Sequence, residues 1–237
     1  MAKLTLDELV TQLKAAFGAD LSSVVLYGSA AGGDHNPKRS DQNVLVIVKQ
    51  VPMSAAKAIA ASARAWSDAG NPPPMVFTER EWRSSSDVFP MEYADILERN
   101  RVLHGTPPFD GIKVDKKHLR LQLENEAMGK LLHLRRGLLA SAADDKQLLE
   151  MLGGTVSAVM VIFRAVCRLH GEIPATDNGR LIEQVARMAE LDAVPFQKAV
   201  RVSRGESAVP NAEALTTAAA YVGGMERLVG HLDAYKS

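Results

Sequence analysis

Two apolar runs constrain this chain more than any other feature: Val24–Tyr27 in SSVVLYG, and NVLVIV from Asn43 to Val48. Both are rich in β-branched residues and nearly continuous in apolar character. A strand with one wet face alternates, so these read as buried central strands. Between them lies a polar loop, GSAAGGDHNPKRSDQ, closed off at its start by Gly28. The fold must therefore place a glycine-rich loop at the mouth of a buried sheet.

The elements around the runs are predicted from local signals. Leu6, Leu9, Val10, Leu13 and Phe17 fall at helical spacing, and Thr5 with Glu8 forms a capping box at the start of that helix. An alanine-rich helix is predicted over Ser54–Ala69, ended by Gly70 and NPPP. MVFT then reads as a third strand, followed by a second capping box, Thr78 with Glu81. In the next segment, YADIL and RVLHG both read as strands, with RN as the turn.

TPPFDG, Thr106 to Gly111, is the best linker candidate. Beyond it the pattern becomes helical. Leu119, Leu123, Met128, Leu131, Leu132, Leu134 and Leu138 keep helical spacing, with Asp115 as the N-cap. Further helices are predicted over Lys146–Leu169, Asn178–Leu191, Pro195–Val202 and Ala212–Tyr235. The fold class is α+β: a mixed sheet with flanking helices in residues 1–110, then an all-α bundle in residues 111–237.

Composition removes several classes of function. The 28 basic and 28 acidic residues balance, which argues against a broad nucleic-acid surface. The single cysteine, Cys167, excludes an intramolecular disulfide and reads as a small core residue. The N-terminus lacks an apolar signal region, and no uncharged apolar run has the length of a membrane span. These features point to a cytoplasmic protein with no membrane partner.

Strand, Gly-Ser, loop, then a strand opening on an acid is an arrangement for phosphate and metal. Gly28 permits a sharp turn and close approach by a ligand. Ser29 follows at an expected helix start, where free N–H groups and a hydroxyl can hold a triphosphate. Asp41 stands at the entry to the second strand, and Asn43 lies two residues on, so their side chains share one face. Two carboxylates in those positions would hold a pair of magnesium ions.

LYGSAAGGDHNPKRSDQNVLVIV resembles the signature of the nucleotidyltransferase-fold superfamily, the polymerase-beta-like group that includes aminoglycoside and minimal nucleotidyltransferases. Gly28, Ser29, Ser40 and Asp41 match its Gly-Ser and Ser-Asp elements, and Leu45–Val48 match its buried strand. The resemblance implies a nucleotidyltransferase-like mixed sheet followed by helices. It also implies transfer of a nucleoside monophosphate from a nucleoside triphosphate to a hydroxyl acceptor, with magnesium. Gly28, Ser29 and Ser40 would bind nucleotide. Asp41 would be catalytic and a metal ligand, and Asn43 a second, uncharged ligand. The acceptor, a small molecule or a protein, would sit between the two parts.

The sequence departs from the pattern twice. Asn43 replaces the second carboxylate, and MVFT lacks the third, which the family carries on a later strand. Glu79, Glu81, Glu92, Asp95 and Glu124 are the acids available to replace it. A degenerate nucleotide-binding or antitoxin-like interaction module is therefore the alternative reading. A weaker one takes Arg164 and His170 in RAVCRLH, which resemble the ribonuclease motif of HEPN helical domains. Arg120 and Glu124 read as a helix ion pair, and Asp34, His35, Lys38 and Arg39 as solvated loop residues. The acceptor, the preferred base and the oligomeric state, a homodimer among the options, are open.

Overall fold

The computed structural model describes residues 4–31, 42–206 and 209–236. The chain forms two compact units, Met1–Val114 and Asp115–Ser237.

The first unit opens with α1 (Leu6–Phe17), capped as the sequence predicts. The Thr5 hydroxyl accepts the Glu8 N–H, and the Glu8 carboxylate accepts the Thr5 N–H at 2.8 Å. There follow β1 (Leu21–Tyr27), β2 (Asn43–Val48), α2 (Met53–Asp68), β3 (Met75–Thr78), α3 (Glu79–Ser84), α4 (Pro90–Glu98) and β4 (Asn100–Gly105). The sheet order is β3-β2-β1-β4. β1 runs antiparallel to β2 and β4, and β3 runs parallel to β2, so the sheet is mixed.

Both faces of the central strands are covered, which accounts for their continuous apolar character. On one face Val24, Leu26, Val44, Val46 and Val48 pack with Leu9, Leu13 and Phe17 of α1 and with Ala55 and Trp66 of α2. On the other, Val25, Leu45 and Ile47 pack with Trp82, Tyr93 and Ile96. The buried aromatic side chains keep their polar atoms satisfied. The Trp82 indole donates to the Pro108 carbonyl at 2.6 Å, and the Tyr93 hydroxyl donates to the Trp82 carbonyl at 2.6 Å. Their rings stack with centroids 4.1 Å apart.

YADIL is helical, not a strand as the sequence suggests; it lies within α4. Pro90 occupies the first turn, where its fixed φ and missing N–H suit a helix start. Met91, Tyr93 and Ile96 are then buried. The expected strand RVLHG is present as the main part of β4.

The second unit is entirely helical among its described residues: α5 (Lys116–Ser141), α6 (Asp145–Leu169), α7 (Asn178–Ala189), α8 (Val194–Ser203) and α9 (Ala214–Ala234). Asp115 caps α5 by accepting the Lys117 N–H at 2.7 Å. α6 is the core helix. It passes a length-and-composition test for a membrane span, as the core helix of a bundle can, and half of its apolar window is buried inside the protein. Cys167 lies on α6, fully buried, and burial pushes its thiol up to about 11, well away from reactivity.

Candidate functional site

Gly28 is where β1 ends. Its φ of +76° lies in the region that side-chain-bearing residues avoid, and it is buried. Its N–H donates to the Arg99 carbonyl at 3.0 Å, tying the strand end to the C-terminus of α4. A Cβ placed on Gly28 would lie 3.3 Å from the Asn43 Nδ2 and 3.4 Å from the Asp95 Oδ2. The backbone turn thus requires glycine, and the ends of two side chains close on the space beside it.

Ser29 is exposed beside this point. The helix expected after Gly28 is only a 3-10 turn, Gly28–Ala30, among the described residues. The short turn closes because the Ala31 N–H donates to the Gly28 carbonyl at 3.1 Å. Three residues give no aligned run of free N–H groups, so a phosphate here would be met by the Ser29 hydroxyl and a few amides. Ser40 and Asp41, with Asp34, His35, Lys38 and Arg39, lie outside the described residues. At the downstream end of the loop, the Gln42 N–H donates to Asn71 Oδ1 at 2.9 Å.

Asn43 opens β2 and pairs across the ladder with Tyr27. Tyr27 is flanked on its other side by Asn100 of β4. The Asn100 amide donates to the Ile96 and Leu97 carbonyls at 2.9 and 3.3 Å, closing the end of α4 and fixing its angle to the sheet. The Tyr27 hydroxyl is pushed up to about 12, first by burial, then by the negative charges of Asp95 and Glu92. Two carboxylates of α4 therefore act on the end of β1.

Three of the other acids are occupied elsewhere. Glu79 accepts the Ser22 hydroxyl at 2.5 Å, at the opposite end of β1. It lines a cavity of about 340 Å³ there, with Arg83, Trp82 and Asp110. Glu81 is the capping-box acid of α3, and the Thr78 N–H and hydroxyl hold its carboxyl below the usual range. Glu124 belongs to the second unit, where it pairs with Arg120 at 2.9 Å. Asp95 is the acid that meets Gly28 and Asn43. Sequence reasoning names it among five without selecting it. A Pro90-started helix would have put Glu92 and Asp95, three residues apart, on one face.

Asp95 brings a hard carboxylate oxygen of the kind magnesium takes to Gly28, and Asn43 turns its amide nitrogen to the same point. No cluster of three or more His, Cys, Asp or Glu side chains suited to a metal occurs among the described residues.

Arg164 and His170 have separate partners. The Arg164 guanidinium donates to Asn178 Oδ1 at 3.3 Å, and the His170 ring meets the His231 ring.

The mixed sheet with helices on both faces, followed in the chain by an all-helical unit, is similar in fold to a solved nucleotidyltransferase. Among solved structures, the chain is similar to spectinomycin adenyltransferase AAD(9) from Enterococcus faecialis, determined with ATP and spectinomycin. The TM-score is 0.57 at 10% identity, covering 94% of this chain and 100% of that one. No protein-family model matches the sequence, and no curated protein matches it.

Proposed function

We propose that the chain is a nucleotidyltransferase that moves a nucleoside monophosphate from a nucleoside triphosphate to a hydroxyl acceptor. The observation that carries this reading is the convergence of Asn43 and Asp95 on Gly28, which sets a carboxylate near the amide that stands in place of an acid. Gly28 and Ser29, with Ser40, bind the triphosphate. Asp41, Asn43 and Asp95 are the residues that would hold magnesium. Asn43 must present its carbonyl oxygen for this, because its nitrogen is a donor only. The ion would supply charge neutralisation along the phosphates.

In the reaction the acceptor oxygen forms a bond to the α-phosphorus, and the bond from that phosphorus to the bridging oxygen breaks. Pyrophosphate leaves with the electron pair. The acceptor proton passes to a carboxylate of the site. AAD(9) by its name transfers an adenylyl group to spectinomycin; here the acceptor class is a hydroxyl compound of either small-molecule or protein type.

Asn43 itself favours a second reading, a nucleotide-binding protein without turnover, since it removes a charge from the metal side of the site. Calorimetry with each nucleoside triphosphate, with and without magnesium, and release of labelled pyrophosphate separate the two. Transfer requires binding and release, with release lost in Asp95→Asn. Binding without release in the wild type establishes the second reading, and absence of binding overturns both.

A further inference from the structure

Asp95 reaches Gly28 because of how the last turn of α4 is tied to the sheet. Arg99 alone separates the end of α4 from the start of β4. The final carbonyls of a helix have no partner inside it. In α4 the next two residues take them up. The Arg99 N–H donates to the Asp95 carbonyl at 3.0 Å, and the Arg99 carbonyl accepts the Gly28 N–H at 3.0 Å. The Asn100 side-chain amide donates to the Ile96 carbonyl at 2.9 Å and to the Leu97 carbonyl at 3.3 Å. Both partners are acceptors, so the nitrogen must face them, and both of its hydrogens are used. A serine would offer one such hydrogen, an aspartate none, and a glutamine would carry its pair one methylene further out.

The backbone of Asn100 is fixed as well. It opens β4 and pairs with Tyr27, and Tyr27 pairs with Asn43. Directly opposed residues of antiparallel strands share a face, so Asn100, Tyr27 and Asn43 form a row across the end of the sheet. The row lies on the face that α4 covers, where Tyr27 packs with Tyr93 and Ile96. Burial of Tyr93 and Ile96 holds α4 down, but apolar burial is non-directional and does not set the rotation of a helix end. Hydrogen bonds from a side chain rooted in the adjoining strand do set it, because they depend on angle. We propose that Asn100 is the positioning residue of the Gly28 corner: by holding the Ile96 and Leu97 carbonyls it fixes the turn that carries Asp95 and sets that carboxylate beside the Asn43 amide. Asn100 acts through Asp95 rather than on a substrate, and what Asp95 then does rests on the transferase reading.

The Asn43 side-chain amide is a reporter that needs no ligand, because its nitrogen and the Asp95 carboxylate close on the same point. In heteronuclear NMR of the full chain its signal should move in Asp95→Asn, and in the same direction in Asn100→Leu, which keeps the branched shape and removes both donor hydrogens. Asn100→Ser keeps one hydrogen and should fall between; it serves if Asn100→Leu does not fold. Calorimetry with ATP and manganese reads the corner when occupied. Asn100→Leu should weaken binding, and the double variant with Asp95→Asn should bind within about twofold of Asp95→Asn alone, since a residue acting through another adds nothing once that one is gone. An Asn43 signal that stays in place in either Asp95→Asn or the Asn100 variants overturns the proposal, and so do losses of binding that add. A signal that moves as expected in a chain that binds no nucleotide keeps Asn100 as the positioning residue and sinks the transferase reading instead.

Discussion

His170 and His231 meet with their Nε2 atoms 2.9 Å apart and their rings nearly parallel, at 18°. One nitrogen must donate and the other accept, so the contact requires at least one neutral ring. His170 closes α6, and His231 lies in the last turn of α9. Tyr235 stands edge-on to His170 and donates to the Leu169 carbonyl at 3.0 Å. The charged groups around the pair are Lys116, Glu172 and Glu190.

Both rings are held below the ordinary value of 6.5, chiefly by burial, and His170 also by the charge of His231. A base with a lowered folded pKa binds fewer protons in the native state than in the unfolded one. Stability is then complete above pH 6.5 and falls as the pH drops through 6.5 towards the folded values. Thermal melts between pH 8 and 5 (about three units around the free-histidine pKa) should show this loss. His231→Gln should flatten the slope. An unchanged slope in that variant would show that other groups govern the acid limb.

Gly28→Ala should lower stability by about 1–2 kcal/mol from the positive φ alone. The new methyl would also sit tightly against the Asn43 amide, so nucleotide binding by calorimetry should weaken more than the loss of stability explains. Urea unfolding beside calorimetry reads both effects.

Gly105 sets a harder limit. Its φ is +78°, and a Cβ there would run into the Ser22 carbonyl of the neighbouring strand. Gly105→Ala should cost roughly 3 kcal/mol or more, because strain and backbone overlap add. Denaturant midpoints check it.

Asn43→Asp would return the formal charge that the loop lacks. If the site works by transfer, this variant should bind magnesium more tightly and release pyrophosphate at least as fast as wild type. Asp95→Asn in the same background should cancel the gain. Both are read by labelled-nucleotide turnover at graded magnesium.

The strands and helix starts were legible because their signals are local. Thr5 with Glu8, Thr78 with Glu81, and Asp115 each act within one turn, and the Val24–Tyr27 run needs only its own residues to declare burial. α4 was not legible as a helix. Tyr93, Ile96 and Leu97 in a short apolar run fit either period, and tertiary packing against Trp82 decides between them. The same holds for Asp95. Its partners, Gly28 and Asn43, lie far away in sequence, and the choice among five acids depends on how α4 lies on the sheet. Met128 and Leu132 show the converse: their spacing marks a helix correctly but cannot tell an inward leucine from an outward one.

The Tyr27 hydroxyl turns the Gly28 corner into an optical gauge. Its proton is held to about 12, first by burial and then by the charges of Asp95 and Glu92. Any cation that neutralises those carboxylates removes part of that hold, and the phenol then ionises at lower pH. Phenolate absorbs where phenol does not, so occupancy of the corner becomes visible in the ultraviolet without label or turnover, and Tyr27→Phe supplies the blank.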